Sequence, residues 1–445
     1  MENRISVISV DKLFGFLNHK VEIKEEGVTF IHGPNGCGKT TFLKLIASFF
    51  EWDIANLHDT NFEKMCIEFQ DNRKITIQKA ITIKEFENEK VETPNFIFKL
   101  FENNEQIEVF EFHRNLKEIR IPPSQLDEYL PFLHQVAARR WVDGRTDEVL
   151  SYHEVIERFS HRLPFTSRKK RPDWLQSLQE NAKLHFVQTQ RLLKVNIENR
   201  THRSEQNVTN VIEIYSNEIK NKISRLLAES SAVSQSKDRS FPQRLLSMYS
   251  TAALSEEKIR SDYDETERKI EKLMEAGLIQ QEKNLALPSK AFEATEKKVL
   301  TLYLQDINEK LAVFDDLLLR IETFLSIITK KLRNKSFKVS QKDGFFIETI
   351  QGKKQVLKPT QLSSGEQHEI VLFYELIFKT SDNSFFLIDE PEISLHIDWQ
   401  RQFLSDISKI ANLGQHSFLV ATHSPQIIGT RRDLAVSLDG GILND

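Results

Sequence analysis

The sequence predicts an α/β protein: a mixed sheet with an antiparallel β lobe, interrupted by an inserted helical hairpin of short coiled-coil character. Three observations predict it. An apolar run, Val28 to Ile31, is followed by a glycine-rich stretch and then by Phe42 to Ala47, giving strand, loop and helix in succession. Short alternating apolar and polar runs occupy 65–112. Leu300, Leu304, Ile307, Leu311, Phe314, Leu318, Ile321, Leu325, Ile328 and Leu332 repeat at alternating spacings of four and three, a heptad seam. The expected parts are 1–199, 200–335 and 336–445.

Length and composition narrow the class. A chain of 445 residues has room for about two or three domains of ordinary size. A net charge of −4 argues against a globally basic coat for nucleic acid, though a local patch remains open. The two cysteines are Cys37 and Cys66, and so few point to a reduced compartment without disulfides. No apolar run approaches a membrane span, and Met1-Glu2-Asn3-Arg4 opens no signal-peptide segment. The expectation is a cytoplasmic protein with no membrane partner.

Taken in order, Ile5 to Val10 reads as a strand and Lys20 to Ile23 as a second. Between them, Phe14 and Phe16 are rings for the core or for stacking on a base, with at least one expected in the core. Met65 to Phe69, Lys74 to Lys84, Asn95 to Glu102 and Gln106 to Phe112 read as an antiparallel meander closed by Ile121-Pro122-Pro123. Residues 124–184 read as mixed helix and loop, with a helix from Asp147 to Ser160. Within them Arg168-Lys169-Lys170-Arg171 is the densest basic cluster, a solvated loop or a DNA contact. His185 to Leu192 is a short strand entering a polar turn.

Ile259, Tyr263, Thr266, Ile270 and Leu273 repeat the heptad spacing more weakly, and Gly277 and Pro288 break the chain before the main seam. The expected product is an antiparallel helical hairpin. Leu317, Leu319, Phe324 and Ile327 widen its second stripe, which calls for further neighbours, another subunit among them. Phe337 to Val339 and Phe345 to Ile350 read as a β-hairpin through Lys342-Asp343-Gly344.

The chemistry begins at Gly33-Pro34-Asn35-Gly36-Cys37-Gly38-Lys39-Thr40-Thr41, a P-loop between strand and helix. Glycines let backbone N–H groups turn inward around phosphate oxygens, and the helix N-terminus adds partial positive charge. Lys39 reaches the outer phosphates of a nucleotide and the Thr40 hydroxyl ligates Mg²⁺. Ser384 to Glu390 is a buried-type strand ending in two carboxylates. Asp389 is placed to hold Mg²⁺ and Glu390 to act as general base on a water.

With these motifs, Leu362-Ser363-Ser364-Gly365-Glu366-Gln367 resembles the signature of ABC-type ATPases. Ser394-Leu395-His396 is similar to their D-loop, and Thr422-His423-Ser424 to their switch histidine. Gln188-Thr189-Gln190 stands where the family has its Q-loop, with Gln190 the preferred Mg²⁺ ligand and Gln188 the alternative. The resemblance implies ATP and Mg²⁺ as cofactors and a head-to-head dimer sandwiching two ATP. In it Ser363, Ser364, Gly365 and Glu366 of one copy cap phosphates on the other's P-loop, and Glu390 and His423 are catalytic.

Lys39 and Leu362 lie far apart with heptads between, a split head that resembles the SMC, RecF and RecN branch rather than a transporter motor. The run from Ile388 to His396, with Gln190-Arg191-Leu192 and Leu13 to Phe16, is similar to ATPases related to overcoming-lysogenization-defect proteins. That group includes components of the antiviral systems PARIS and Septu. The chain ends at Asp445, soon after His423, so the nuclease that follows in the namesake proteins is expected from a separate effector. Three readings remain: a slow ATPase sensor or scaffold controlling a nuclease or toxin, a DNA-maintenance ATPase, or an ATP-bound scaffold with little turnover.

Overall fold

The structure, a computed structural model, describes residues 4–86, 89–112, 123, 126–137, 139–159, 171–188, 193–195, 208–247, 254–280, 287–351 and 355–438. Gln190, Arg168 to Lys170 and Ile121-Pro122 lie outside the described residues. Two compact units emerge. One comprises 1–188, 381–393 and 400–445, the other 189–380 and 394–399.

The first unit begins with β1 (Ile5–Leu13), β2 (Leu17–Glu22), β3 (Val28–His32), α1 (Lys39–Phe50) and α2 (Ile54–Asp59). Then come β4 (Lys64–Phe69), β5 (Arg73–Phe86), β6 (Glu89–Glu102), β7 (Glu105–Phe112) and α3 (Leu126–Tyr129). Its N-terminal portion closes with β8 (Leu133–Ala137), β9 (Arg140–Asp143), β10 (Glu148–Ser151), α4 (Tyr152–Phe159), α5 (Asp173–Asn181) and β11 (Leu184–Gln188). The second unit carries β12 (Leu193–Val195), β13 (Val208–Asn210), α6 (Val211–Ser247), α7 (Glu256–Glu275), α8 (Ala294–Ala312) and α9 (Asp315–Lys331). It continues with β14 (Lys335–Ser340), β15 (Gly344–Thr349), β16 (Val356–Leu357) and α10 (Ser364–Phe378). The chain returns to the first unit for β17 (Phe385–Asp389), most of α11 (Ile397–Gly414), β18 (Ser417–Ala421), α12 (Pro425–Ile428) and β19 (Ala435–Ser437).

In the first unit a five-stranded sheet has the order β11-β17-β18-β3-β19, parallel throughout. Its central strands are apolar along their length because parallel strands are covered on both faces. The meander forms as expected and recruits β1 and β2, so six antiparallel strands run β2-β1-β4-β5-β6-β7. One core joins both sheets to α1. Phe42, Leu43, Ile46 and Phe49 pack with Ile8, Ile67 and Phe98 of the antiparallel sheet and with Leu387 and Leu419 of the parallel one. A helix apolar on so many sides is stable only when enclosed.

Two local expectations fail here. Neither Phe14 nor Phe16 is core: they are 41% and 73% exposed. The pairing of β1 with β2 shifts register between Val10 and Leu13, and Lys12, Phe14 and Gly15 take positive φ, which turns the rings outward. The helix expected from Asp147 covers only Tyr152–Phe159, and Glu148–Ser151 is a strand in a three-stranded sheet. Strands of four or five residues are too short to show their alternation. Their apolar positions, Leu133, Trp141 and Leu150, join Val155 and Phe159 in a small core.

In the second unit the hairpin expected between the two heptad stretches is not antiparallel. Glu256 of α7 reaches Lys297 of α8 at 3.8 Å, and Thr266 reaches Asn308 at 3.3 Å, so the two helices ascend together. A 20-residue helix is about 30 Å long, a distance an extended chain covers in about ten residues, and more than that join α7 to α8. The antiparallel neighbour of α8 is α6, where Ser230 meets Lys310 and Arg244 meets Asp306. The seam also breaks at Val313-Phe314, though Leu311, Phe314 and Leu318 stay buried across the turn, and Asp315 and Asp316 open the first turn of α9.

The widened stripe on α9 finds its neighbours within the chain. Phe324 packs on Phe337, Phe345, Tyr374 and Phe378, while Leu319 is exposed. At the end of α7, Gly277 holds φ +72, and a Cβ there would lie 1.9 Å from the Val339 carbonyl. Only glycine fits that approach. Among the described residues no helix is long and apolar enough to cross a membrane.

Candidate functional site

Everything in this first site belongs to the first unit. The loop after β3 delivers Gly38 at φ +89 as the residue before α1. A Cβ on Gly38 would lie 2.9 Å from Leu13 Cδ2 and 3.3 Å from Phe14 Cε2, so both backbone angle and space demand glycine. The N-terminus of α1 has no side-chain cap and no acid in its first turn. Its N–H groups are therefore unclaimed by side chains, the condition for binding an anion. Buried His19 donates from Nε2 to the Cys37 carbonyl at 2.8 Å and fixes the loop from beneath.

Lys39 is only 4% exposed. Its ammonium donates to the carbonyls of Gly33 at 2.8 Å and Pro34 at 3.3 Å and lies 3.4 Å from His423 Nδ1. A buried cation needs such acceptors. Because lysine can only donate, His423 Nδ1 accepts, and the ring proton sits on Nε2, which faces Glu390 Oε1 at 3.6 Å. His423 thus stands between the loop lysine and a carboxylate.

That carboxylate follows β17. Asp389 Oδ1 accepts from the Thr40 hydroxyl at 3.0 Å. Burial pushes the Asp389 carboxyl above its usual range, and the charges of Glu390 and Glu392 push the same way. Glu390 holds φ +45, a left-handed angle uncommon for a residue with a side chain, and its N–H donates to the Ala421 carbonyl at 2.9 Å. Phe14, Asn35, Gly36, Gly38, Lys39, Thr40, Thr41, Glu390 and His423 line a cleft of about 190 Å³.

The residues singled out in the sequence therefore divide as follows. Gly33 and Pro34 supply carbonyls to Lys39, Cys37 is buried, and Asp389 adjoins the cleft through Thr40. Gln188 pairs with Asp389 in the register of β11 and β17. Ser363, Ser364, Gly365 and Glu366 belong to the second unit.

There, Ser363 and Glu366 form a capping box at the start of α10. Ser363 donates to Glu366 Oε2 from its N–H at 2.9 Å and from its hydroxyl at 2.8 Å. Lys335 Nζ contacts both carboxylate oxygens at 2.8 and 2.9 Å. Burial works upward on the Glu366 carboxyl, yet these bonds outweigh it and hold its pKa below the usual value. Gln367 bonds the Leu362 carbonyl at 2.8 Å, and Ser364 remains exposed.

Beyond His19, three contributors escaped the sequence reading: Glu392, Gln400 and Lys335. Glu392 Oε1 accepts from Thr422 Oγ1 at 2.9 Å and from the His423 N–H at 2.5 Å. Ser424 donates to Gln400 at 2.6 Å, and Gln400 donates to the Glu392 carbonyl at 3.4 Å. A third acid directly after Asp389-Glu390-Pro391 was a signal for Glu392. Nothing in the local sequence marks the other two.

The chain resembles known proteins at several levels. Over 69 residues it is 38% identical to UvrABC system protein A of Oceanobacillus iheyensis and 32% identical to that of Clostridium acetobutylicum. Each match takes in 16% of this chain, which spans about 7% of the length of those relatives. Solved SMC head structures align loosely along it. One bound to the C-winged helix domain of ScpA has 12% identity and a TM-score of 0.35, covering 96% of this chain and 91% of that one. One derived from Pyrococcus furiosus has 13% identity and a TM-score of 0.33 over 96% and 91%, and one from Thermotoga maritima 10% and 0.30 over 97% and 92%. The AAA ATPase domain family matches residues 5–428, nearly the whole length, and the chain belongs to that family.

Proposed function

We propose that this ATPase closes head to head with a second copy around ATP and uses slow turnover to control a separate effector, a nuclease or toxin, in bacterial antiviral defence. The ATPase chemistry rests on one observation: Lys39, Thr40, Asp389, Glu390 and His423, drawn from both ends of the chain, meet around one cleft. The donor set fits Mg²⁺ with nucleotide. A hydroxyl and a half-buried carboxylate are 3.0 Å apart with two more acids close by. Thr40 and Asp389 would hold the ion, whose charge would offset that of the phosphates.

The remaining roles fall to the chain itself. The α1 N–H groups receive phosphate oxygens, and Lys39 exchanges the Gly33 and Pro34 carbonyls for phosphate. Glu390 takes the proton of the attacking water and His423 orients it. Gln190, outside the described residues, is the preferred additional ligand. Ser364, exposed at a turn that Ser363 and Glu366 already hold, and Gly365 meet the phosphates of the second copy. The effector role rests on the motif resemblance, Ile388 to His396 above all.

Phosphate release and sedimentation of wild type and Glu390→Gln test this reading. The variant is expected to lose turnover about 100-fold or more and to accumulate as an ATP-bound dimer. Equal near-zero rates would leave ATP as a structural ligand only. A DNA-maintenance role is the second reading, carried by the split layout in which Lys39 and Leu362 lie far apart in the chain. It requires salt-dependent DNA binding that weakens on charge reversal of Arg168 to Arg171.

A further inference from the structure

We infer that Glu392 is a positioning residue that holds His423 at the phosphate loop. The inference rests on the role proposed for His423. The Glu392 carboxylate reaches from the turn after β17 to the turn after β18. There one oxygen, Oε1, receives both the Thr422 hydroxyl and the His423 backbone N–H. An anionic acceptor makes such bonds shorter and stronger than neutral ones. The other oxygen, Oε2, is buried without a hydrogen-bond partner. Leaving it so costs free energy that a small apolar residue would avoid, and the carboxylate is present nonetheless.

The clamp is braced from behind. Gln400 at the start of α11 donates to the Glu392 carbonyl and accepts from Ser424, so the residues after β17 and β18 are tied at both backbone and side chain. His423 carries no other described restraint on its backbone N–H. Its ring position, 3.4 Å from Lys39 and 3.6 Å from Glu390, depends on where that backbone is held. A shift of about 1 Å in a reacting group can cost about 100-fold in rate. Glu392 itself does not line the cleft.

Steady-state hydrolysis and nucleotide affinity of Glu392→Ala, Glu392→Gln, His423→Ala and the Glu392→Ala/His423→Ala double variant test the inference. Glu392→Ala should lower kcat about 10- to 100-fold with nucleotide affinity within about threefold. Glu392→Gln, whose amide oxygen accepts both bonds, should recover most of that loss. The double variant should be no slower than His423→Ala. Multiplicative losses in the double variant, or full activity in Glu392→Ala, overturn the inference. Should Glu392→Ala not fold, Thr422→Val carries the test: it removes one donor and should slow turnover with affinity kept, and unchanged turnover overturns the inference. Full activity in His423→Ala instead removes the proposed role of His423.

Discussion

At the start of α1 no side chain caps the first turn, and Gly38 holds a left-handed angle with Leu13 and Phe14 closed against it. At the start of α10 Ser363 and Glu366 cap each other, and Lys335 covers the carboxylate. Both helices begin at glycine-containing motifs that sequence reading assigns to phosphate. The first is open and is kept so by backbone geometry that only glycine tolerates. The second has the N–H groups of Ser363 and Glu366 answered by side chains before any ligand arrives. The difference teaches that a glycine-containing motif can either be the receptor or hold a receptor's edge in shape, and that capping distinguishes the two.

The largest expected effect lies at α1. Lys39→Ala should weaken ATP binding by about 100-fold or more, since charge-assisted hydrogen bonds to phosphate are lost. A thermal shift with ATP that survives the substitution would break the comparison. Next comes Gly38→Ala, which forces a Cβ to within 2.9 Å of Leu13 at φ +89. A cost of about 1–3 kcal/mol in denaturant unfolding is expected, together with weaker nucleotide binding. A fully stable variant would show that neither the angle nor the packing demands glycine.

The smallest effect concerns the capped end. Because the folded pKa of Glu366 lies below its unfolded value of about 4.3, its contribution is complete above that pH and is lost as pH falls through the folded pKa. The stability gap between wild type and Glu366→Gln should narrow as pH is lowered from about 6 to about 3. A gap independent of pH would mean that Lys335 and Ser363 do not hold the charged form.

Much of this was legible in the sequence because it is local. A glycine loop between an apolar run and a helix, an apolar strand ending in Asp389-Glu390, and a hairpin through Gly344 each carry their signal within about ten residues. The failures share another property. Whether α7 runs with or against α8 depends on a linker's path, which heptads do not encode. Phe14 was ambiguous because a register shift decides which way it faces. Glu392 and Thr422 meet across thirty residues, and no periodicity relates them.

The order of strands has a consequence for synthesis. β3, which leads into the phosphate loop, pairs among the described strands with β18 and β19. A ribosome makes β3 among the first thirty-odd residues and makes its neighbours after residue 416. Until then the buried faces of Phe30 and Ile31 have no strand beside them, a long-range closure that slows folding and leaves apolar surface for chaperones to cover. The part of the nucleotide site that is translated first is the part that is finished last.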